Sequence, residues 1–234
     1  MAVYACGDLH GHIKIFKKIK AMLQPKDKVY FIGDAGDRGP KSWECIKAIY
    51  EDPQFIYLKG NHEDMLVKAC EDYISQEYWD YYSANLCIRN GGQNTIDSWE
   101  KDLKKEMWVS RLRNLPLWDF YENPSGHKII LSHAGFTPWK NINTNACIIP
   151  SAKTLLWDRK HFYDNWQEKR MDDVVIVHGH TPIQHLSEDL NRVWKSGAFW
   201  YSNGHKVCID SGGFFSGEWI LLNLDTLEDT VIKY

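Results

Sequence analysis

The chain has 234 residues, of which 44% are hydrophobic and 25% charged, and its formal net charge at pH 7 is −3. This composition is typical of a soluble globular protein, and it excludes the strongly basic surface that nucleic-acid binding requires. We therefore expect a single domain over residues 1–234 without a nucleic-acid partner.

The sequence contains no pattern typical of secretion or membrane insertion. The opening MAVYAC is too short for a signal-peptide core, and no later run approaches the ~20 apolar residues of a membrane span. We therefore expect a cytoplasmic protein with no membrane partner. The scattered cysteines form no C-x-x-C pair, which predicts reduced, buried thiols; they are Cys6, Cys45, Cys70, Cys87, Cys147 and Cys208.

Short apolar segments and helical patterns alternate in the first third of the chain. Residues 3–6, 29–32 and 55–58 read as strands, and an amphipathic helix follows the first of them. Helices over residues 43–50 and 64–82 follow the other two. Strands that alternate with helices predict parallel strands joined by crossover helices.

Each of these three strands ends in a glycine followed by an acid or an amide. Asp8, Asp34 and Asn61 follow one another at intervals of 26 and 27 residues, about the length of one strand–helix unit. We expect the preceding glycines to let the backbone turn sharply out of the strand. Because the carboxyl ends of parallel strands form a ligand crevice, the three side chains are predicted to share one edge.

The rest of the chain divides into a helical middle and a strand-rich second half. Residues 64–113 look mostly helical, with a break at Asn90-Gly91-Gly92, and predict a cap-like insertion around 64–116 within the single domain. Five later strands are predicted, over residues 129–132, 174–177, 206–209, 219–224 and 230–232.

Histidines stand at the ends of two later strands. His133 follows one of them, and His178 and His180 follow another. We expect His180 to face the ligand crevice and His178 to point to the other side, with at most a supporting role. Two aspartates, an asparagine and three histidines then lie at the strand ends of one inferred sheet, which predicts a polar site made of Asp8, His10, Asp34, Asn61, His133 and His180.

These stretches resemble the phosphoprotein phosphatase branch of the calcineurin-like metallophosphoesterases. The family motifs GDxHG, GDxVDRG, GNHE, H-[GA]-[GD] and GH[TX] match, in order, residues 7–11, 33–39, 60–63, 133–135 and 179–181. The stretches LWDR and IDSG, at 156–159 and 209–212, look most like compact bacterial and phage serine/threonine phosphatases of the lambda phage type. The resemblance implies an α/β fold with two β-sheets in a sandwich flanked by helices, and a two-metal site at the carboxyl ends of the strands.

The resemblance also implies which residues hold the metals. Asp8, His10 and Asp34 would hold the first divalent ion, and Asp34 would bridge to a second held by Asn61, His133 and His180. A bridging carboxylate suits ions about 3.5–4 Å apart that clamp one in-line displacement by a bridging hydroxide. Asn61 ligates without adding negative charge, which leaves positive charge for hydroxide and phosphate. Mixed oxygen and nitrogen ligands suit manganese, iron or zinc, and the family favours manganese.

The same resemblance assigns the proton and the phosphate. His62 would donate a proton to the leaving oxygen, with Asp37 orienting its ring. Arg38 and Arg159 would grip the phosphoryl oxygens, which guanidinium groups match well. Glu63 would start the helix or support the ligands around it.

The implied function is hydrolysis of phosphate monoesters, with phosphoserine and phosphothreonine in proteins as the expected substrates. The alternative is a dinucleoside polyphosphate hydrolase of the same fold; symmetrical enzymes of that kind tend to carry Ala at Asp37 and Asp at Glu63. A second alternative is an inactive relative that acts as a binding module. Gly36 departs from the family pattern, in which an aliphatic residue anchors this loop.

Overall fold

The computed structural model describes residues 1–75, 81–136, 139–140, 147–160 and 174–234. In chain order the elements are β1 (Val3–Cys6), α1 (Ile13–Met22), β2 (Lys28–Phe31), α2 (Ser42–Glu51), β3 (Phe55–Tyr57), α3 (Asn61–Ser75), α4 (Tyr81–Arg89), α5 (Gln93–Glu100), α6 (Lys105–Arg113), β4 (Trp118–Glu122), β5 (Lys128–Ser132), β6 (Trp139–Lys140), β7 (Cys147–Ile148), α7 (Ala152–Trp157), β8 (Val174–His178), α8 (Ile183–Asp189), β9 (Phe199–Tyr201), a 3₁₀ turn (Ser202–Gly204), β10 (Lys206–Cys208), α9 (Gly213–Ser216), β11 (Glu218–Asn223) and β12 (Asp229–Lys233).

The strands form two five-stranded mixed sheets and one small antiparallel ribbon, β6 with β7. The first sheet has the order β12-β11-β1-β2-β3, and its β1, β2 and β3 are parallel, as the sequence predicts. The second sheet has the order β4-β5-β8-β10-β9, with β5, β8 and β10 parallel. The α/β two-sheet fold is confirmed, whereas the expectation that all site strands belong to one sheet is wrong.

Alternating side chains give each sheet two buried faces. In β1, Val3 and Ala5 lie in a buried layer that also contains Ile129 and Val207 of the second sheet, so the two sheets pack face to face. The alternate residue Cys6 packs on the other side, in the layer formed with the helices. The sheets form a sandwich whose parallel strands present their carboxyl ends at a common edge.

Four helices, α3 to α6, occupy the segment predicted to be helical. Helix α3 begins at Asn61, three residues before the predicted start, so Asn61 and His62 lie in its first turn. The predicted break at 90–92 separates α4 from α5. Part of the predicted helix over 64–82, residues 76–80, lies outside the described residues.

Strands β4 and β9 are absent from the sequence-based prediction. Both lie at an edge of the second sheet. The residues of β4 are partly or fully exposed on both faces, so they lack the clear alternation that marks a half-buried strand. Strand β9 has only 3 residues, too few for a periodic signal.

The thiols agree with the prediction as far as the structure describes them. Cys6, Cys45, Cys70, Cys87 and Cys208 are buried and free. No helix in the described ranges combines the length and hydrophobicity needed to cross a membrane.

Candidate metal centre

Loops from both sheets bring the predicted ligands together. Asp8, Asp34 and Asn61 follow β1, β2 and β3 of the first sheet, and His133 and His180 follow β5 and β8 of the second. Backbone hydrogen bonds join the first two turns, from Asp8 N to Gly33 O at 3.0 Å and from His10 N to Asp34 O at 3.0 Å. The result is a buried polar cluster at the common edge of the sandwich.

Asp34 lies at the centre of this cluster. Its Oδ2 is 3.7 Å from His10 Nε2, while its Oδ1 is 3.4 Å from His133 Nε2. Among the described residues, two groups of side chains have donor atoms close enough to hold an ion. One contains His10, Asp34 and His62, and the other contains Asp8, Asp34 and His133. Asp34 is common to both groups and turns one oxygen towards each side, as a bridging ligand must.

A second convergence of donor atoms surrounds the Asn61 amide oxygen. Asn61 Oδ1 lies 2.8 Å from His133 Nε2 and 3.0 Å from His180 Nδ1. The other ring nitrogen of His133 lies 3.0 Å from Ile32 O, so Nε2 is the atom left to bind a ligand. A cation bound by both His133 Nε2 and the Asn61 oxygen would stabilise this close approach.

Asp8 gives a direct test of whether the site fits a cation. Its Oδ2 is buried and has no hydrogen-bond partner in the described part of the protein. Burial, followed by the charges of Asp210 and Asp34, raises the pKa of Asp8 well above its ordinary value. A buried carboxylate with an unpaired oxygen among other carboxylates is stabilised by a metal ion, so the residues present fit the group.

Two of the imidazoles are held neutral, the state in which they bind metals. Burial, followed by repulsion from His62, lowers the pKa of His10, and its Nδ1 donates to Gly36 O at 2.9 Å. Burial, followed by repulsion from His133, lowers the pKa of His180. Both rings therefore have one unprotonated nitrogen for a ligand or donor.

Behind the ligands, His62, Asp37 and Arg38 form a connected group. His62 Nδ1 donates to Asp37 Oδ2 at 2.7 Å. Burial opposes a proton on His62, yet the Asp34 charge and the bond to Asp37 prevail and raise its pKa. The Arg38 guanidinium donates to His10 Nε2 at 2.8 Å and to His62 Nε2 at 3.1 Å, so it lies between the two rings.

Arg159 and His178 lie apart from this cluster. Arg159 follows α7 with an exposed side chain. Burial lowers the pKa of His180 and the positive charge of Arg159 adds to that shift, whereas at Asp210 the same charge opposes the rise in pKa that burial causes. His178 is buried, and its Nε2 lies 2.7 Å from the Tyr201 hydroxyl. His178 and His180 therefore point in different directions. Alternation along a strand is not the cause, because residues two apart on a strand share a face. The strand ends at His178, and His180 turns away with a φ of 66°.

Glu63 connects the second and third turns. One carboxylate oxygen accepts from Asp34 N at 2.9 Å and Gly60 N at 2.8 Å. The other accepts from Ala35 N at 2.8 Å and the Tyr57 hydroxyl at 2.8 Å. Glu63 is thus both an early residue of α3 and a bridge between the backbone segments that carry Asp34 and Asn61.

Several proposed ligands adopt the left-handed backbone conformation, whereas only one of the three glycines before Asp8, Asp34 and Asn61 has a positive φ. Asp8, Asp34 and His180 have φ values of 52°, 60° and 66°, in the left-handed region. Gly7 and Gly60 have ordinary φ values, so the expectation that they make the turn is wrong for both. They are needed for close approach instead, since a Cβ at Gly60 would overlap Asp34 Oδ1. Gly33 has both a φ of 102° and a tight approach to Gly60.

The structure also explains the departure at Gly36. A Cβ there would lie 2.8 Å from Ile46 Cδ1, so Ile46 of α2 occupies the space. The loop keeps further anchors in Glu63, bonded to Ala35 N, and in Thr95, bonded to Asp37 N at 3.2 Å.

Two residues near the cluster were not singled out as site residues. Asp210 is buried after β10, and burial raises its pKa to about 7; its stretch, IDSG, was recognised only as a family likeness. Phe214 of α9 has its ring centre 4.7 Å from the Arg38 guanidinium carbon and 5.7 Å from the His10 ring. A partly exposed phenylalanine in a helix of four residues has no sequence signal that marks it as part of a site.

A two-sheet α/β sandwich with carboxylates, an amide and imidazoles at its strand ends defines a metal-dependent phosphoesterase architecture. The sequence profile of the calcineurin-like phosphoesterases matches residues 1–209, and the chain belongs to this family. The family resemblance stated from the motifs is thereby confirmed.

Individual relatives have low sequence identity to this chain but align with most of its length. A bis(5′-nucleosyl)-tetraphosphatase (asymmetrical) from Anoxybacillus flavithermus is 24% identical over 248 residues, covering 95% of this chain and 90% of the relative. A metallophosphoesterase structure from Sphaerobacter thermophilus superimposes with a TM-score of 0.58 at 13% identity, covering 100% and 87%. A protein serine/threonine phosphatase from Saccharomyces cerevisiae gives 0.56 at 16% identity, covering 100% and 80%. These two solved structures share the fold.

Proposed function

We propose that this chain hydrolyses phosphate monoesters with two divalent ions, manganese being the first choice. Asp8, His10 and Asp34 would hold one ion, and Asp34, Asn61, His133 and His180 the other. The observation that carries the proposal is Asp34, whose Oδ2 faces His10 of the first ligand set and whose Oδ1 faces His133 of the second. When bound, the ions would supply Lewis-acid activation of water and of the phosphoryl group.

His62 is the proposed proton donor to the leaving oxygen, and Asp37 holds its ring. The 2.7 Å bond from His62 Nδ1 to Asp37 orients the imidazole and leaves Nε2 as the atom that would carry the transferred proton. The raised pKa of His62 supports this role, because an acid must hold its proton near neutral pH.

Arg38 is the proposed phosphate ligand, with Arg159 as a second cation nearer the surface. Arg38 now donates to His10 Nε2 and His62 Nε2, which are the atoms proposed to bind metal and to carry the proton. Both roles require Arg38 to leave the imidazoles. A phosphoryl group would draw it away, because guanidinium binds phosphate oxygens more strongly than a neutral ring nitrogen.

The Asp37–His62 pair favours a substrate whose leaving group needs a proton, such as phosphoserine or phosphothreonine in a protein. The second candidate is a dinucleoside tetraphosphate, and the specific observation for it is the relative of that name, which covers 95% of this chain. An inactive binding module is disfavoured by the presence of every proposed ligand together with His62, Asp37 and Arg38.

A direct comparison of substrates tests the assignment. The purified protein, supplied with manganese, is assayed on a phosphoserine peptide and on diadenosine tetraphosphate. Higher kcat/KM on the peptide supports the phosphatase, and a clear preference for the dinucleotide replaces it with the second candidate.

Two neighbouring variants test the division of labour between metal and proton. His62→Asn should lose roughly 10²–10⁴-fold on the peptide and much less on 4-nitrophenyl phosphate, whose leaving group is stable without a proton. Asn61→Ala should slow both substrates alike and recover in part with added manganese. Equal losses from His62→Asn on the two substrates would show that His62 is not the acid.

A further inference from the structure

The turn between α4 and α5 packs against the loop that carries Asp37 and Arg38. This turn has the sequence Asn90-Gly91-Gly92, and α5 then presents Thr95, which is fully buried. The turn and Thr95 lie 52 or more residues after Asp37 and Arg38 in the sequence, and none of the recognised motifs includes them.

Thr95 makes two contacts with one residue. Its hydroxyl donates to Asp37 Oδ1 at 2.6 Å and accepts from Asp37 N at 3.2 Å. Because Asp37 Oδ2 accepts from His62 Nδ1 at 2.7 Å, each carboxylate oxygen has a separate partner. The carboxylate is held on both sides, and its plane determines where the His62 ring lies.

The glycines allow this close approach. Gly91 has a φ of 92°, and its carbonyl accepts from Arg38 N at 2.9 Å. A Cβ at Gly91 would lie 2.9 Å from Arg38 Cγ, and one at Gly92 would overlap Cys87 Sγ and lie 3.2 Å from Asp37 Oδ1. The contact supports an unusual backbone, since Asp37 and Arg38 have φ values of 66° and 63°.

We propose that Thr95 is a positioning residue for proton donation: its hydroxyl fixes Asp37, and Asp37 in turn aims His62 at the leaving oxygen. This inference rests on the proposed function, because Thr95 acts only through His62. The segment predicted to be a helical cap thereby contributes to the chemistry from behind the site, without touching the substrate.

The test uses two substrates of nearly the same shape, phenyl phosphate and 4-nitrophenyl phosphate. Phenolate is the more basic leaving group and depends more on a donated proton. Thr95→Val keeps the shape and removes the hydroxyl, so kcat/KM on phenyl phosphate should fall roughly tenfold, within the losses that small misplacements of catalytic groups cause. The fall on 4-nitrophenyl phosphate should be about threefold or less, since that reaction needs the acid less.

Three further variants make the result specific. Thr95→Ser retains the hydroxyl and should restore most of the activity on phenyl phosphate. Ser98→Ala, at a half-buried position of the same helix, should change the activity on neither substrate, because the Ser98 hydroxyl donates to Asn94 O of its own helix. Thr95→Ala provides the same test as Thr95→Val if valine lowers the yield of folded protein.

A double variant separates positioning from general damage. In a His62→Asn background the acid is gone, so Thr95→Val should cause little further loss on phenyl phosphate. A full additional loss, equal losses on both substrates, or no recovery with serine would each overturn the inference. If His62→Asn slows phenyl phosphate more than 4-nitrophenyl phosphate and Thr95→Val slows both equally, only the inference about Thr95 fails. If His62→Asn itself slows both substrates equally, the proposed proton step fails as well.

Discussion

Replacing Glu63 by glutamine is predicted to destabilise the fold and to weaken metal binding, although the change in the side chain is small. Replacement by glutamine keeps the size of the side chain and turns one acceptor oxygen into an amide donor. Each Glu63 oxygen now accepts two hydrogen bonds, one pair from Asp34 N and Gly60 N, the other from Ala35 N and the Tyr57 hydroxyl. The glutamine amide must face one of these pairs.

The loss of stability depends on which pair of donors the glutamine amide faces. Against Asp34 N and Gly60 N, two backbone donors lose their acceptor. Against Ala35 N and Tyr57, the hydroxyl can rotate and accept, so one donor is lost. The amide should take the less costly orientation, which leaves one buried donor unsatisfied. Such a donor costs about 1–3 kcal/mol, so the free energy of unfolding should fall by about 1–3 kcal/mol. This is a large part of the about 5–15 kcal/mol that stabilises an ordinary domain.

Metal binding should weaken as well, because Glu63 fixes the backbone on which Asp34 and Asn61 stand. Loss of a hydrogen bond that supports a ligand typically lowers metal affinity about 10–100-fold. The measurements are urea unfolding of the metal-free protein, followed by tryptophan fluorescence, and calorimetric titration with manganese.

Glu44→Gln is the matched control, since the Glu44 side chain is 48% exposed and pairs with Lys41 on the surface. It should change the free energy of unfolding by less than about 0.5 kcal/mol. If Glu63→Gln unfolds at the same urea concentration as the parent and binds manganese equally well, the four hydrogen bonds do not hold the site as argued.

Asp34→Asn should lose most of the activity, since Asp34 is the residue shared by both groups of donors in the described part of the chain. Elemental analysis that finds one metal per chain in fully active protein would contradict the two-metal site. Asp102 ties α2 to the α5–α6 turn through bonds from Trp43 Nε1 and Lys47 Nζ. A hydrogen bond from Lys104 N, followed by those from Trp43 and Lys47, lowers the pKa of Asp102 despite burial. The ionised Asp102 therefore stabilises the folded protein above about pH 4, and this contribution is lost as the pH falls through the folded-state pKa. Asp102→Asn should therefore lower the free energy of unfolding at pH 7 by about 0.5–1 kcal/mol, and urea titrations should show that difference shrinking below about pH 4; a constant difference down to pH 3.5 would exclude this linkage.

The local parts of this fold were predictable from local patterns. Strands β1 to β3 are buried apolar runs with polar turns after them. Their alternation with helices predicted that they are parallel, and the regular spacing of Asp8, Asp34 and Asn61 predicted that these side chains share one edge. The later strands β5, β8, β10 and β11 carry the same kind of signal. Edge strands β4 and β9 did not, because exposure removes the pattern on which prediction depends.

The periodic pattern of the sequence could not predict the division of the strands into two sheets. A buried strand looks the same whichever sheet it joins, so His133 and His180 could be placed at strand ends but not on a separate sheet. Only the family resemblance implied the sandwich. The inter-sheet contacts that bring these histidines to Asn61 depend on long-range packing, such as that of the buried layer to which Val3 and Ile129 both belong.

The identity of the site residues and the geometry of the site have different origins in the chain. Identity lies in motifs, which a sequence displays directly. Geometry depends on non-glycine residues held at positive φ, a conformation that costs about 1–3 kcal/mol each and persists only where neighbours over-determine it. Here the neighbours are Glu63, which holds the Asp34 turn, and Thr95 with Gly91, which hold Asp37 and Arg38. Changes at these supports should therefore disturb metal binding and proton transfer while every proposed ligand and catalytic group is still present.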